Sequence, residues 1–519
     1  MSCFRATYSK EFCGIIKSKL IDYTISNVAR LNFKKGVRAK MSYLDSLKQN
    51  STIENTKGGR YYGTTYDANL DIFAGISRYN DTYDIIEKFK KAIAEDKTLA
   101  LANLMYLLDI RSGKGERLLF QTLFRYLCES EKEMALLILP KIPEYGRWDY
   151  ILEGLDTLIE DEVIELIKKQ LEEDKKSENP SLLAKWLPTH RTHNVRNETA
   201  KKIIKKLGIT EKEYRKTLTS IRKKLKLIEN NLTNKDYETI NFENVPTKAM
   251  LKYRESFNRN CSEKYQEYLS QVKNGEKKIS TTGLYCYEIV RNILLRVPVD
   301  NKLFDLMWEN QKDFLKGYDK NLMVIADTSG SMEWPNELPL ANSIGLAIYI
   351  AQRNKGAFKN HFITFSEEPR MHKVIGKDIV EKVNNIEFEI ANTNIDEVFK
   401  LLLNTAIENK SKQDEMPTHL IIISDMEFDQ GVYSKEGTNF NGWKKYFEEN
   451  GYELPKVIFW NVSANTMGVP VTKFDNDVAM VSGFSTSVLE NLLTLDKLTP
   501  MKVMLQTLEK YINLLGEVA

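Results

Sequence analysis

Short apolar runs alternate with helical patterns from about residue 320 to the end of the chain. Each run has the length of a buried strand, and the helical patterns lie between the runs. This alternation predicts a doubly wound, mostly parallel α/β sheet. The predicted strands are residues 322–326, 362–365, 419–424, 456–460 and 478–481, and the predicted helices between them are residues 341–352, 395–408 and 443–449.

From about residue 65 to 320, apolar positions recur at helical spacing instead. An apolar-rich helix is predicted over residues 98–108, and others over 118–127, 134–139 and 149–167. Short amphipathic helices joined by tight turns are typical of an α-solenoid. The pattern therefore predicts an α-helical, HEAT-like region, although no strict sequence period accompanies it. Residues 1–60 are polar and weakly periodic, which predicts an arm or peripheral helices.

Residues 185–226 are strongly basic, with fourteen Lys or Arg and three Glu, a local net charge of +11. Two helices are predicted here, one ending at Gly208 and one opening with the capping-box pattern Thr210 to Glu213. An inward-facing stripe is expected on the second helix, so its lysines face water. The stripe consists of Tyr214, Leu218, Ile221, Leu225 and Ile228. A solvated helix face and a contact with a polyanion are both compatible with this charge.

Bulk composition narrows the class of protein. The 519 residues exceed one ordinary core, so two or three domains are expected, and the net charge of +3 makes no global case for nucleic acid. Five scattered cysteines without a CxxC pair argue against a zinc site and for a reducing compartment. Because neither a signal sequence nor a long apolar run is recognisable, a cytoplasmic location is expected.

Candidate chemistry lies where two predicted strands end. Asp327, Ser329 and Ser331 follow the strand at 322–326, and Asp425 follows the strand at 419–424. Ligands of parallel α/β sheets bind beyond this edge. A carboxylate and two hydroxyls at i, i+2 and i+4 can converge on a hard cation, so Mg²⁺ is expected, with Mn²⁺ as an alternative. A turn that only caps a helix is the other interpretation.

These segments, with Thr393 in Ala391-Asn392-Thr393-Asn394-Ile395-Asp396, resemble the metal-ion-dependent adhesion site of von Willebrand factor A domains. The resemblance implies that Ser329 and Ser331 ligate the ion directly, and that Asp327, Thr393 and Asp425 bind it directly or through water. Glu427 and Asp429 depart from the usual pattern, in which a glycine often follows the second aspartate. They either support the ligands by hydrogen bonds or face solvent.

The helical half resembles the TROVE module of Ro-type RNA-binding proteins in Tyr145-Gly146-Arg147-Trp148-Asp149 and in the turn Arg111-Ser112-Gly113-Lys114-Gly115-Glu116-Arg117. Trp148 as core and an Arg147–Asp149 ion pair are the structural interpretation. The chain also resembles an uncharacterised family of plants, large DNA viruses, bacteria and phages, in the segments Val245-Pro246-Thr247-Lys248-Ala249-Met250, Ser424-Asp425-Met426-Glu427-Phe428-Asp429 and Val481-Ser482-Gly483-Phe484-Ser485.

The predicted organisation is an N-terminal arm (1–60), a TROVE-like helical domain (61–318) and a von Willebrand A-like domain (319–519). A non-catalytic RNA-binding protein with a metal-dependent ligand site is one hypothesis, and a scaffold that recruits an acidic partner residue without RNA is the alternative. A hydrolase is disfavoured, since the site lacks the paired carboxylates of two-metal enzymes. The candidate RNA contacts are Arg191, Arg196, Lys201, Lys202, Lys205, Lys206, Arg222, Lys223 and Lys224.

Overall fold

The computed structural model describes residues 52–54, 58–78, 80–189, 195–297, 300–365, 367–390, 392–429, 439–463, 468–492, 495 and 497–516. These residues belong to one compact unit. It combines a helical region with a mixed, mainly parallel sheet, in agreement with the predicted fold class at this level. Most of the predicted N-terminal arm, up to residue 51, lies outside the described residues.

A two-stranded ribbon opens the described chain. Strand β1 (Thr52–Glu54) pairs antiparallel with β2 (Arg60–Tyr62). The main chain of Tyr62 also pairs with Val469, through N···O distances of 2.9 and 2.8 Å. The described part of the predicted arm is therefore extended and not helical: residues 52–54 pair with the nearby β2, which pairs in turn with the distant Val469.

Helices fill the chain between the ribbon and the sheet. Among the described residues, every helix is too short or too polar to span a bilayer. The helices of this region are α1 (Ala68–Gly75), α2 (Thr82–Glu95), α3 (Lys97–Leu108), α4 (Arg117–Ser130), α5 (Lys132–Ile138), α6 (Ile142–Tyr145), α7 (Glu160–Lys176), α8 (Leu183–Trp186), α9 (Val195–Leu207), α10 (Glu211–Lys224), α11 (Ile228–Asn234), α12 (Thr247–Asn260), α13 (Ser262–Lys273), α14 (Cys286–Leu294) and α15 (Asn301–Glu309).

The boundary between α9 and α10 follows the sequence closely. Helix α9 ends before Gly208, whose φ of +66° is a left-handed conformation that suits glycine. Helix α10 begins with the predicted capping box, in which the Thr210 hydroxyl accepts from the Glu213 N–H and the Glu213 carboxylate accepts from the Thr210 N–H. Tyr214, Leu218 and Ile221 form its buried stripe, whereas Leu225 and Ile228, also predicted for this stripe, lie beyond the end of the helix at Lys224.

Six strands form the C-terminal sheet in the order β5-β4-β3-β6-β7-β8 within the described chain, and all neighbours are parallel except β4 and β5. The central strands β3 and β6 are buried along their whole length, as strands covered by helices on both faces are. The strands are β3 (Leu322–Asp327), β4 (His361–Phe365), β5 (Arg370–Lys373), β6 (His419–Ser424), β7 (Lys456–Asn461) and β8 (Val478–Ser482).

Helices connect these strands and close the fold. The predicted strands and helices are all present with ends shifted by a few residues, whereas the short 3₁₀ segment Trp148–Gly154 replaces the start of the helix predicted over 149–167. Helix α14 packs against α16, and α3 packs against α21. The helices are α16 (Leu338–Arg353), α17 (Ile379–Asn384), α18 (Asp396–Asn409), α19 (Asn439–Glu449), α20 (Leu489–Leu492) and α21 (Pro500–Gly516).

Candidate metal site and basic surface

The loop after β3 gathers three of the predicted ligands. Asp327 is fully buried at the end of the strand, and its Oδ1 accepts a hydrogen bond from the Ser329 N–H at 2.9 Å. The Ser329 and Ser331 hydroxyl oxygens lie 3.2 Å apart. One carboxylate and two hydroxyls therefore share a small volume at the C-terminal edge of the sheet, which is the donor set that a hard cation needs.

The neighbouring strand brings the second carboxylate to the same place. Ala326 pairs with Ile423, so the next residues of the two parallel strands, Asp327 and Ser424, lie side by side. The Ser424 hydroxyl donates to Asp327 Oδ2 at 2.5 Å, and its oxygen is 3.5 Å from Asp425 Oδ1. The sequence motif that contains Ser424 assigns this residue no role, although the parallel register of the two strands accounts for its position beside Asp327. It lies between the two carboxylates.

Two acidic groups influence each other at this edge. Burial, followed by the nearby charge of Asp425, raises the pKa of Asp327 to about 7. A divalent cation between the two carboxylates would offset the repulsion that raises this pKa. In the described part of the chain, no three His, Cys, Asp or Glu side chains cluster in a metal-binding group. A metal here would therefore need the serine and threonine hydroxyls as ligands, and these are the residues present.

The main chain of Thr393 is hydrogen-bonded to the loop that follows Asp425. It is fully buried, and its carbonyl accepts from the Asp429 N–H at 3.1 Å, which joins its loop to the loop that follows Asp425. On the other side, the Thr328 hydroxyl donates to the Glu389 carbonyl at 3.2 Å. The three loops that carry the predicted ligands are thus connected by hydrogen bonds. Asp396, from the same motif as Thr393, instead accepts from the Trp443 indole N–H.

The loop after Asp425 has an unusual backbone. Met426 has a φ of +66°, in the left-handed region that methionine rarely adopts. The Glu427 N–H donates to Asp425 Oδ1 at 3.0 Å, and the Met426 N–H donates to the Ser424 hydroxyl at 3.0 Å. The main chain of this loop therefore orients Asp425. The Glu427 and Asp429 residues are half-buried, so neither is simply a solvated acid.

The basic glycine-containing turn is part of the core and not a phosphate cradle. Lys114 is buried, and its ammonium donates to the Phe73 carbonyl, the Ile76 carbonyl and the Ser482 hydroxyl at 2.7, 2.8 and 2.6 Å. A Cβ on Gly113 would lie 2.2 Å from the Tyr106 carbonyl oxygen, so this glycine is required by the turn. The turn joins the helical region to the end of β8.

The structural interpretation of the Tyr145–Asp149 motif is confirmed. Trp148 is buried, and Arg147 forms an ion pair with Asp149. The Arg147 guanidinium also stacks on the Trp186 ring, 3.6 Å from its centre. These contacts hold the corner between α6 and α8, which leaves the arginine engaged within the protein.

Most of the predicted RNA contacts have partners inside the protein. Lys201 pairs with Glu198, Lys202 with Asp156, and Lys206 with Glu160 and Asp161. Arg222 donates to the Ala184 and Leu187 carbonyls, and Lys224 donates to the Lys175 and Ser177 carbonyls. Arg191 and the Arg196 side chain lie outside the described residues. Of the set, Lys205 and Lys223 are exposed and form no ion pair with a described residue.

The exposed side of α10 carries a set of cations that the prediction had mostly left out. Lys212, Arg215, Lys216 and Lys223 recur at spacings of 3, 1 and 7, which places them on one helical face opposite the buried stripe. All four are exposed, and none forms a salt bridge with another described residue. We call these four residues the α10 basic face. The helical spacing of the buried stripe would have predicted the α10 basic face, because the two lie on opposite sides of the helix.

Comparison with known proteins places this chain among proteins without an assigned role. Residues 321–510 match a family described as a domain of unknown function (DUF7788), and residues 161–327 match a second, DUF2828. The uncharacterized protein L728 of Acanthamoeba polyphaga mimivirus is 30% identical over 505 residues, covering 88% of this chain and 87% of its own length. The chain therefore belongs to the same family as this viral protein.

Proposed function

We propose that this protein is a non-catalytic binding protein whose sheet holds a divalent cation, Mg²⁺ or Mn²⁺, in the manner of a von Willebrand A domain. The ligands would be Asp327, Ser329, Ser331, Thr393 and Asp425. The observation that carries the proposal is the position of the Ser424 hydroxyl, 2.5 Å from one buried carboxylate and 3.5 Å from the other. It links the two acids at the edge where ligands of parallel α/β sheets bind, which supports the proposal.

The donor set explains why binding and not catalysis is proposed. Two carboxylates balance the charge of a divalent cation, while hydroxyl ligands are neutral. An ion held in this way stays electrophilic and can accept one more oxygen from a partner. The acidic side chain of a protein partner is the simplest such oxygen. Two-metal hydrolysis needs further paired carboxylates beside the site.

The surroundings of the site favour a protein over a phosphate backbone as the partner. Glu333, Glu367 and Glu368 are exposed on loops adjacent to the Asp327 loop, and they would repel a polyanion. The Trp334 residue is 69% exposed, and its main-chain N–H donates to the Ser331 carbonyl at 3.2 Å. An exposed tryptophan beside a metal site offers a partner protein an anchoring contact. The metal site and the α10 basic face would therefore serve different ligands.

Crystals grown with Mn²⁺ would test the metal site directly. We expect one anomalous difference peak at the edge of the sheet, within bonding distance of the Ser329 and Ser331 hydroxyls. The same peak should weaken when Mg²⁺ is added in excess. A Mn²⁺ ion found elsewhere, with this edge empty at saturating Mn²⁺, would contradict the proposal.

RNA binding by the helical region is the second candidate function, in line with the TROVE resemblance. It is supported by the α10 basic face, where four exposed cations are not neutralised by acids of the described chain. Such a face attracts phosphates by releasing counterions, so binding would be strongly salt-dependent. A scaffold that recruits only protein partners through the metal is the alternative, and nuclease-resistant, Mg²⁺-dependent complexes would favour it.

A further inference from the structure

The ribbon at the start of the described chain contacts Phe428, in the loop that follows Asp425. The Phe428 N–H donates to the Tyr61 hydroxyl oxygen at 2.6 Å, and the same hydroxyl donates to the Phe428 carbonyl at 3.2 Å. Tyr61 is 4% exposed and Phe428 is 1% exposed. One buried hydroxyl thus satisfies both main-chain groups of Phe428, and water is excluded as a substitute partner.

The ribbon is fixed where it makes this contact. Tyr62, the next residue, is tied to Val469 by two main-chain hydrogen bonds. Gly59 lies so close to the loop that a Cβ there would be 2.3 Å from the Phe428 carbonyl oxygen. The Tyr61 hydroxyl therefore projects from an anchored strand, which allows it to determine where Phe428 sits.

Phe428 in turn lies between the two groups that orient predicted ligands. Its preceding residue, Glu427, donates its N–H to the Asp425 carboxylate, and its following residue, Asp429, donates its N–H to the Thr393 carbonyl. The loop also contains Met426 in a left-handed conformation, which the surrounding structure must hold in place. A displacement of Phe428 would move both donors.

We propose that Tyr61 is a positioning residue for the metal site: by holding both main-chain groups of Phe428, it sets the placement of Asp425 and Thr393. This role rests on the proposed metal binding. It gives the segment that precedes the helical region a direct effect on the affinity of a site formed more than three hundred residues later.

Calorimetric titration with Mg²⁺ alone tests this role in the full chain. Tyr61→Phe removes only the hydroxyl, and we expect the Mg²⁺ dissociation constant to rise about 10-fold, as when groups that orient metal ligands are lost. Tyr62→Phe is the matched control, because it removes the hydroxyl of the neighbouring tyrosine, which accepts from the Asn441 side chain of α19. It should leave the dissociation constant within about twofold of wild type.

The outcomes separate this inference from the proposed function. If wild type takes up no Mg²⁺ at the site, the proposed function fails. If wild type binds and Tyr61→Phe binds equally well, only the positioning role is overturned. A purely structural role would lower the metal-free melting temperature without changing the Mg²⁺ dissociation constant. Gly59→Ala, which presses on the same carbonyl, should also weaken binding, and unfolding of both variants would contradict a local role.

Discussion

At the scale of single residues, Ser424 shows how a short hydrogen bond can organise a site. Its hydroxyl donates to the buried Asp327 carboxylate and lies 3.5 Å from an oxygen of the Asp425 carboxylate, so it links the two acids. The charge of Asp425 is the second cause, after burial, of the raised pKa of Asp327. Binding of a cation would relieve this repulsion, which is why metal and fold should stabilise each other here.

The sequence singled out the proposed ligands of this site but assigned no role to the residues that support them. Asp327, Ser329 and Ser331 follow a spacing that a single loop can realise, and Asp425 follows a strand end. Ser424 and Tyr61 belong to no such spacing, because their roles depend on strand register and on a contact between residues 61 and 428. Residues that position ligands through tertiary contacts leave no local pattern.

At the scale of elements, the strongest predictions came from local rules. The capping box at Thr210 and the apolar runs of β3 and β6 follow from the sequence alone. The strand β5, Arg370-Met371-His372-Lys373, was missed because it is mostly exposed and charged. It lies at the edge of the sheet and, within the described chain, pairs with β4 alone. Several partners of the basic side chains were missed because they lie far along the chain: Asp156 is in the turn before α7, and Glu160 is the first residue of α7.

The α10 basic face leads to a prediction about RNA. Replacing Lys212, Arg215, Lys216 and Lys223 by alanine should weaken the binding of structured RNA hairpins, whatever their base sequence. It should also make the slope of log affinity against log salt shallower by about 3, because four phosphate contacts are lost. Fluorescence anisotropy at several salt concentrations measures both quantities.

The matched control for this experiment is the double change Lys202→Ala and Lys206→Ala. These lysines are already neutralised by acids, so the salt slope should stay as in wild type. An unchanged slope for the four-residue variant would exclude the α10 basic face as the RNA surface. A wild-type protein that binds no structured RNA at low salt would contradict the RNA function as a whole.

At the scale of the whole molecule, buried polar contacts join the helical region to the sheet. Lys114 donates to two carbonyls at the end of α1 and to Ser482 of β8. Asp109, from the same turn, accepts from Lys510 and Tyr511 of the last helix at 2.8 and 3.0 Å. The basic glycine-containing turn of the TROVE resemblance, together with Asp109 just before it, thus connects distant parts of the chain, which only the tertiary structure reveals.

Lys114→Met is expected to lower the free energy of unfolding by about 1–3 kcal/mol, since it leaves buried carbonyls unpaired. Burial lowers the pKa of Lys114 to about 7, against the opposing effect of the Glu116 charge. The pKa of a lysine in the unfolded chain is about 10.4. Between these values the unfolded chain binds more protons, so wild type should gain stability over the variant as pH rises. Urea denaturation at pH 7 and 9.5 measures the difference.

Lys88→Met provides the comparison for this pH effect. Lys88 forms a partly exposed ion pair with Asp84 on the same helix, so its replacement should change stability little and equally at both pH values. A stability loss for Lys114→Met that is the same at pH 7 and 9.5 would contradict a buried lysine with a lowered pKa.

The central claim is that the edge of the sheet binds a divalent cation through Asp327 and its neighbours. Calorimetric titration of Mg²⁺ into wild type and Asp327→Ala tests it most directly. The control is Asp414→Asn, which changes an exposed acid in the segment before β6. We predict one saturable Mg²⁺ site in wild type and in the control, and its loss in a folded Asp327→Ala protein. Equal Mg²⁺ binding by wild type and Asp327→Ala would contradict the claim.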